Sequence, residues 1–512
     1  MRRVVPILLL ASLVVAGCVT PPAEVDAAQS AIGPDGLAWW ERATPSGEGH
    51  DHADPAQHAN LSTPNFQVVG FDDLQTKRYG TTATGMGCGG VGTTGEGRRI
   101  AVVHTIATEV AFVVADVTDP ANPQYLGEYL MPNSVIWDAT VTPDGKHALV
   151  GAYPFAFSGR GVVLPTGGKA ALDGTPLFPM QFWWRDYCTG ETVPAGPEQY
   201  LPFGPGIVMV GLQDPTSPQF EDWVSQPVIG PHSVTGHEVD GRIIATSSVT
   251  NLVHDASYYS FFEVATLPSG MGKLVPLSVI QAPGPRAGDT GNGHVDVYVA
   301  KHPGDGKVYA YLANWDDGVR IYDMTDMRAP KLVGAWRDGD AGSLHTTYPL
   351  PVMWGDRHYT IAGQEVGEPD DLPTGWIYVL DTTDPASPVE VGRWTLPHKF
   401  SWKDKSGKPF GLGFSPHYVE VVDRTLFVTN YHGGVWAVDL SNVSRPQAVG
   451  VFVPDRLPEA WYGDEPAGPF VEDVIANPDG SLTVWDGARG ILTVRFDATR
   501  PMPRAPAWEV PS

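Results

Sequence analysis

One corner motif recurs along the 512-residue chain and constrains its fold more than any other feature. In the clearest copies a β-rich run ends in Asp, and an Asp-Pro turn with a second Pro follows, as in Val379–Pro388 (VLDTTDPASP). Asx side chains bond the turning backbone, while Pro fixes φ and ends the preceding strand. The next run carries Val-Gly and an aromatic residue, as in Val391–Trp394. The other copies are Val113–Pro123, Val210–Pro218, Ile321–Pro330 and the weaker Val438–Pro446.

The spacing of these corners indicates a repeated four-stranded unit. The equivalent strand-end positions are Asp116, Gly211, Glu263, Asp323, Asp381, Asp439 and Arg495. Their successive differences are 95, 52, 60, 58, 58 and 56, so seven copies are present and only the first step is long. Each unit reads as four antiparallel strands, and such a sheet cannot bury both faces alone. The units must therefore stack against one another.

The two ends of the repeat array predict a closed ring. Residues 65–71 have the pattern of an outer strand with no unit before them, whereas the last copy ends at Phe496-Asp497 with no outer strand after it. Pairing these two segments would hide both exposed sheet edges. We therefore predict an all-β, seven-bladed β-propeller of four-stranded antiparallel blades, closed by the N-terminal strand. Residues 61–512 are predicted to form this single domain.

The long first step predicts an insertion at residues 152–206, between two strands of the second blade. It contains Trp183, Trp184 and Cys188, while Cys88 lies just before the first inner strand on the same face. We expect a lid over the channel, pinned by a Cys88–Cys188 disulfide, because paired thiols persist in oxidising compartments. The alternative is an insertion that covers only its own tryptophans.

The N-terminus is typical of a targeting segment. Residues 1–17 combine two arginines with an apolar run that is too short to span a membrane. Val15–Cys18 resembles a bacterial lipobox, which implies cleavage before Cys18 and lipidation of that residue. Val19 follows, where the sorting pattern of that family has Asp for inner-membrane retention, so the resemblance favours the outer membrane or cell surface of a bacterium. An ordinary secretory peptide with a chance Cys is the alternative.

Residues 18–60 are predicted to be a flexible tether, rich in Pro, Ala, Gly and acidic residues. It contains His50, His52 and His58, which could bind a metal ion. We favour a solvated linker, because a mobile segment has no surrounding groups to orient metal ligands. The net charge of −25 argues against nucleic acid or an anionic membrane surface as partner. The lipid anchor is thus the expected membrane contact. A protein, glycan or small molecule on the top face is the expected ligand.

The corner motifs of Ile321–Pro330 and Val379–Pro388, each followed by Val-Gly, resemble the LVIVD repeat family of bacterial and archaeal surface proteins. The resemblance covers about residues 90 to 500. It implies a β-propeller and no single reaction, because fold alone does not specify chemistry.

The starts of the inner strands predict a ring of polar residues around the propeller axis. These positions are Val91, Asp138, His232, His294, His345, His417 and Asp473. His232, His294, His345 and His417 are the candidate ligands of a transition metal, Fe, Cu or Zn, which imidazole and carboxylate ligands suit. Carotenoid-cleaving propellers with four-His iron and selenium-binding (methanethiol oxidase) propellers are similar in architecture only. The alternative is structural histidines that bond the neighbouring blade, around a water-lined channel.

The loops beside this ring hold the candidate catalytic residues Glu365, His432 and Asp473, since imidazoles near carboxylates act as general acids and bases. No serine-hydrolase, P-loop or zincin motif is present. Two hypotheses follow. One is a lipid-anchored scaffold that binds a ligand or partner on its top face without a defined reaction. The other is a metal-dependent enzyme, with an oxidoreductase as the favoured class.

Overall fold

The computed structural model of the protein describes about three fifths of the chain and includes the four strands of every repeat unit. The described residues are 62–63, 65–74, 86–105, 110–131, 135–153, 157–158, 161–166, 181–186, 192–194, 206–226, 231–251, 256–283, 296–315, 317–337, 343–365, 375–396, 402–403, 409–410, 415–431, 433–454, 470–487 and 489–500. Within these ranges, no helix is long and apolar enough to cross a membrane.

The described elements are all strands. In chain order they are β1 (Phe66–Asp72), β2 (Met86–Thr93), β3 (Arg99–Thr105), β4 (Val110–Asp116), β5 (Gln124–Leu130), β6 (Val135–Val141), β7 (His147–Tyr153), β8 (Phe157–Ser158), β9 (Gly161–Thr166), β10 (Gln181–Asp186), β11 (Thr192–Pro194), β12 (Gly206–Gly211), β13 (Gln219–Ser225), β14 (Ser233–Val239), β15 (Arg242–Asn251), β16 (Ala256–Thr266), β17 (Gly272–Pro283), β18 (Val297–Lys301), β19 (Val308–Ala313), β20 (Val319–Asp323), β21 (Lys331–Trp336), β22 (Leu344–Pro349), β23 (Tyr359–Gln364), β24 (Ile377–Asp381), β25 (Val389–Trp394), β26 (Trp402–Lys403), β27 (Pro409–Phe410), β28 (Val419–Val422), β29 (Thr425–Thr429), β30 (Val435–Asp439), β31 (Gln447–Phe452), β32 (Val471–Ala476), β33 (Ser481–Asp486) and β34 (Gly490–Phe496).

Seven four-stranded antiparallel sheets form the blades of a propeller, as the repeat predicts. Each blade runs from its innermost to its outermost strand. Blade 1 is β2–β5, blade 2 is β6, β7, β12 and β13, blade 3 is β14–β17, blade 4 is β18–β21, blade 5 is β22–β25, blade 6 is β28–β31, and blade 7 is β32, β33, β34 and β1.

The ring closes through β1, which confirms the predicted closure. β1 pairs antiparallel with β34, from Phe66 opposite Phe496 to Asp72 opposite Ile491. The Phe66 ring lies 4.9 Å from that of Phe496 and 6.1 Å from that of Phe452, centroid to centroid. The first and last parts of the described chain therefore share one hydrophobic core.

The middle strands of the blades are buried on both faces because a neighbouring blade covers each side. Every residue of β12, β19 and β33 is buried. Such strands read as continuous apolar runs and do not alternate. The outermost strands are partly exposed, with Leu332 and Val389 among their solvent-facing side chains.

The Val-Gly of the repeat has a packing role. Gly334 on the outer strand of blade 4 lies against the carbonyl oxygen of Pro385, in the corner of blade 5, and a Cβ at Gly334 would collide with it. Gly392 meets Val443 of the next corner in the same way. These corners thus pack onto the glycine of the blade before them. This contact explains why both halves of the motif recur together.

The predicted insertion at 152–206 contains a small antiparallel sheet of β8–β11. The strands on either side of it, β7 and β12, are direct neighbours in blade 2, with Gly151 opposite Ile207. The insertion therefore interrupts one hairpin without disturbing the blade. Its role as a lid stays a prediction.

Candidate metal centre

Four inner strands begin with a β-bulge at the end that carries the predicted polar ring. The pairing register shifts between Met86 and Gly89, Ile136 and Asp138, Leu344 and Thr346, and Val471 and Asp473. A bulge leaves a residue outside the ladder and re-aims its side chain. Cys88, His345 and Glu472 lie in three of these bulges, so the irregular strand starts supply three buried side chains with metal-ligating atoms.

Two histidines and a glutamate form the first group of candidate ligands. One ligand atom each from His345, Glu365 and His417 lies within 4.8 Å of the others, and all three residues are buried. His345 Nε2 lies 3.7 Å from Glu365 Oε2, and the His345 and His417 rings are 4.5 Å apart, centroid to centroid. Blade 5 supplies His345 and Glu365, and the segment before β28 supplies His417. The group therefore bridges two blades.

The orientation of His417 suits metal binding. Its Nδ1 lies 2.8 Å from the carbonyl oxygen of Glu472, and because a carbonyl only accepts, Nδ1 carries the proton and donates it. Nε2 then keeps its lone pair, as in metal-ligating histidines whose other nitrogen bonds a backbone carbonyl. Burial, followed by repulsion from His345, lowers the pKa of His417 to about 3. The imidazole is thus neutral near pH 7, which is the form that ligates metals.

Cys88, His104 and Asp138 form a second group within 4.8 Å, also fully buried. His104 Nδ1 donates to the carbonyl oxygen of Cys88 at 3.0 Å, which leaves its Nε2 as the lone-pair nitrogen. Burial lowers the pKa of His104 to about 4, so it too is neutral near pH 7. Asp138 Oδ2 accepts from the backbone amide of Val234 in blade 3 at 2.8 Å.

Glu472 connects the two groups. It forms a third set with Cys88 and His417, again within 4.8 Å, and its Oε2 lies 3.6 Å from Cys88 Sγ. The three sets overlap in a continuous buried patch that we call the axial cluster. Its members are Cys88, His104, Asp138, His345, Glu365, His417 and Glu472.

The axial cluster and its surroundings concentrate buried acidic groups. Burial raises the pKa of Glu472 well above its usual value, with further contributions from Glu365 and Asp473. Burial also raises the pKa of Asp138 and of Asp296 to about 7. The charged neighbours that shift Glu472 and Asp138 are themselves acids. A cation placed among these groups would favour their ionised forms.

Two tyrosines flank the histidines. Tyr431 donates its phenolic proton to Glu365 Oε1 at 2.5 Å, and its ring lies 4.8 Å from that of His417. The backbone of Tyr431 is left-handed, with φ of 45°, a conformation that costs energy in a non-glycine residue and clusters at functional sites. Tyr418 packs on the other side, 4.7 Å from His417 and 5.5 Å from His345. Tyr431 therefore orients the Glu365 carboxylate, as an outer partner of a ligand does.

The structure brings several predicted residues together. His345, His417 and the candidate catalytic residue Glu365 meet in the axial cluster, and Asp138 belongs to it. Asp473 is buried in blade 7, and its Oδ1 accepts from the Val474 amide at 2.7 Å. This ring position thus carries both cluster residues and hydrogen bonds that brace the strands.

Other predicted residues have a less direct outcome. His232 is partly buried, and its backbone amide donates to Ser248 O at 2.8 Å. His294, His432, Cys18 and Cys188 lie outside the described residues. Cys88 carries a free thiol in the structure. The disulfide with Cys188, the lipidation of Cys18 and the four-histidine ligand set therefore stay predictions.

Sequence reasoning missed Cys88 and Glu472 as members of the site. The sequence pattern places Val91 at the start of the first inner strand, but Val91 lies within β2 and pairs with Ala101. The hairpin between β2 and β3 is longer than in blade 6, which moves Cys88 to the equivalent position. Glu472 follows from no periodicity, since a bulge turns it inward beside Asp473.

Comparison with protein-family models finds no match to the chain, and comparison with curated proteins finds none either. The resemblance to the LVIVD repeat family thus rests on the corner motif. Among solved structures, the C-terminal WD40 domain of Sif2 is similar at 10% identity and a TM-score of 0.41, covering 82% of this chain and 98% of that one. The propeller assignment follows from the strand topology itself.

Proposed function

We propose that the protein is a metal-dependent enzyme whose axial transition-metal ion is held by His345, Glu365 and His417. The observation that carries the proposal is this buried group of two imidazoles and one carboxylate within 4.8 Å. Two-His-one-carboxylate sites hold Fe(II) in oxygenases, and the same ligand types hold catalytic zinc. Three protein ligands leave open positions for water or substrate, which a catalytic site needs and a structural site does not.

The bound metal would set the reaction class. Iron or copper would support an oxidoreductase, since the protein tunes a redox ion through its ligands. Zinc would act as a Lewis acid and lower the pKa of bound water. The histidines bind in their neutral form, and the Tyr431 hydroxyl fixes the orientation of Glu365 through the 2.5 Å hydrogen bond. Of these classes, the oxidoreductase is the one that we propose.

The decisive experiment is elemental analysis of protein purified without a His-tag. We expect about one or more equivalents of a transition metal in the wild type and about one equivalent fewer in His345→Ala and in His417→Ala. The matched control is His358→Gln, since His358 is a buried histidine that bonds Leu350 O and Thr382 Oγ1 away from the cluster. Thermal melting of each variant checks the fold. Less than about a tenth of an equivalent in the wild type, or the same metal content in both variants as in the wild type, would refute the proposal.

The cellular location of the protein is the second part of the proposal. We propose that cleavage before Cys18 and lipidation of that residue tether the propeller outside the cytoplasm, on the outer membrane or cell surface. The lipobox-like Val15–Cys18 after a short apolar run supports this. Intact-mass measurement and detergent partition of wild type and Cys18→Ser test it. Equal partition of the two proteins into the aqueous phase would contradict a lipid anchor.

A binding scaffold remains the second candidate function. The β-propeller fold commonly mediates ligand or partner binding. A wild-type protein that is folded and metal-free would favour this candidate, with a protein, glycan or small molecule as the ligand of the top face.

A further inference from the structure

We infer that the axial cluster is a two-metal centre, with a second ion held by Cys88, His104 and Asp138. This inference rests on the proposed metal-binding function and goes beyond it. The second ion would be a borderline transition metal such as zinc or copper, because the group offers sulfur, nitrogen and oxygen.

The number of ligand-type side chains is the first argument. The axial cluster contains seven such residues, while a zinc ion in proteins takes about four ligands and an octahedral ion about six. The group of His345, Glu365 and His417 shares no residue with the group of Cys88, His104 and Asp138. The ligand atoms of each group lie within 4.8 Å of one another, and all six residues are buried. One ion cannot use both groups, whereas two ions can.

The histidine orientations are the second argument. In both groups a histidine donates Nδ1–H to a main-chain carbonyl, His417 to Glu472 at 2.8 Å and His104 to Cys88 at 3.0 Å. The partner carbonyl fixes the tautomer and leaves Nε2 for a metal. Gly87 makes room for His104, because a Cβ there would collide with its ring. The position of the His104 ring is therefore fixed by its surroundings, as that of His417 is.

Glu472 supplies the third argument, since it lies between the two groups. Its Oε2 is 3.6 Å from Cys88 Sγ, and Cys88, His417 and Glu472 each place one ligand-type atom within 4.8 Å of the others. A carboxylate has two oxygens, and one that lies beside ligands of both groups is placed to bridge two ions. Two-metal sites in enzymes hold their ions about 3.5–4 Å apart.

The experiment counts metal in tag-free wild type and in variants of each group. We expect about two equivalents in the wild type and about one in His104→Ala and in His345→Ala. Zero equivalents in the wild type would overturn the proposed function and this inference together. One equivalent that persists in His104→Ala and is lost in His345→Ala would overturn this inference and uphold the proposed function.

Cobalt substitution gives a second measurement, and its wild-type spectrum does not depend on the folding of a variant. Co(II) bound to a thiolate shows a sulfur-to-metal charge-transfer band in the near ultraviolet. We expect this band in the wild type, its loss in Cys88→Ser, and its persistence in the matched control Cys188→Ser. A wild type that binds Co(II) without the band would overturn the second site, and a Cys88–Cys188 disulfide would produce that result.

Discussion

Removing the Phe66 ring should open the propeller at its closure. Phe66 is only 5% exposed and lies at the start of β1, against Phe427, Phe452 and Phe496. Phe66→Ala removes these contacts and leaves a cavity between blades 6 and 7. Such substitutions in protein cores cost about 3–5 kcal/mol. Because β1 is one strand near the end of the described chain and can shift into the gap, we expect the lower end, about 3 kcal/mol.

Two measurements separate local opening from global loss of stability. Urea unfolding followed by tryptophan fluorescence reports the whole ring, and hydrogen exchange of the β1 and β34 amides reports the closure alone. We expect faster exchange at β1 and β34 in Phe66→Ala than elsewhere in the molecule. The matched control is Gln67→Ala, since the Gln67 side chain is exposed on the same strand and its removal should change stability by less than about 0.5 kcal/mol.

The closure argument fails if the two variants behave alike. Equal unfolding midpoints for Phe66→Ala and Gln67→Ala, with unchanged exchange at β34, would show that the β1–β34 pairing adds little to the integrity of the ring.

Further predictions address a buried histidine, a buried ion pair, the seat of His104 and the metal itself. Burial lowers the pKa of His358 to about 4. Between about pH 6.5 and 4, His358 therefore binds a proton in the unfolded chain but not in the folded one, which should lower the free energy of unfolding by about 3 kcal/mol. Unfolding at several pH values should show a smaller acid loss in His358→Gln, and equal losses would contradict this. Asp486→Ala leaves the fully buried Arg489 guanidinium without its carboxylate, and urea unfolding should show a cost of about 3–5 kcal/mol; a cost below about 1 kcal/mol would count against it. Gly87→Ala should displace the His104 ring and lower the metal content as His104→Ala does. Unchanged metal content would contradict the proposed role of the His104 position in metal binding. Chelation of the metal should lower the melting temperature, because an ion at 100 times its dissociation constant stabilises the native state by about 2.7 kcal/mol; identical melting with and without chelator would contradict a native-state site.

The architecture was predictable because one local rule repeats. Asp381 shows the rule, since its Oδ1 accepts the Thr383 amide at 3.0 Å and turns the chain toward the next strand. The following glycine, such as Gly392, then receives the corner of the next blade. Seven copies of a unit that cannot bury its own faces leave few arrangements. The pattern of residues 65–71 settled which ends meet.

The site was only partly predictable because bulges decide which side chains face the axis. His417 follows from counting along a regular hairpin, and Asp138 is the first residue after the β6 bulge that pairs in register, opposite Gly151. Cys88 and Glu472 do not, since a bulge moves each of them out of the two-residue alternation. Loop length adds a second source of error, as Val91 shows. The sequence pattern predicts the order of the strands well, but it does not show where one extra residue forms a bulge in a strand.

The axial position serves the ring and the candidate centre at the same time. His417 of blade 6 donates to a carbonyl of blade 7, and Asp138 of blade 2 accepts from an amide of blade 3. These bonds join adjacent blades, and the same side chains belong to the axial cluster. A repeat that brings a polar residue to this place for stability also aims it at the axis. A ring of structural hydrogen bonds then becomes a metal centre if a few blades carry Cys, His or Glu at this position. Blades 1, 2, 5, 6 and 7 supply the cluster, so a metal ion bound there would link both sides of the ring closure through its ligands.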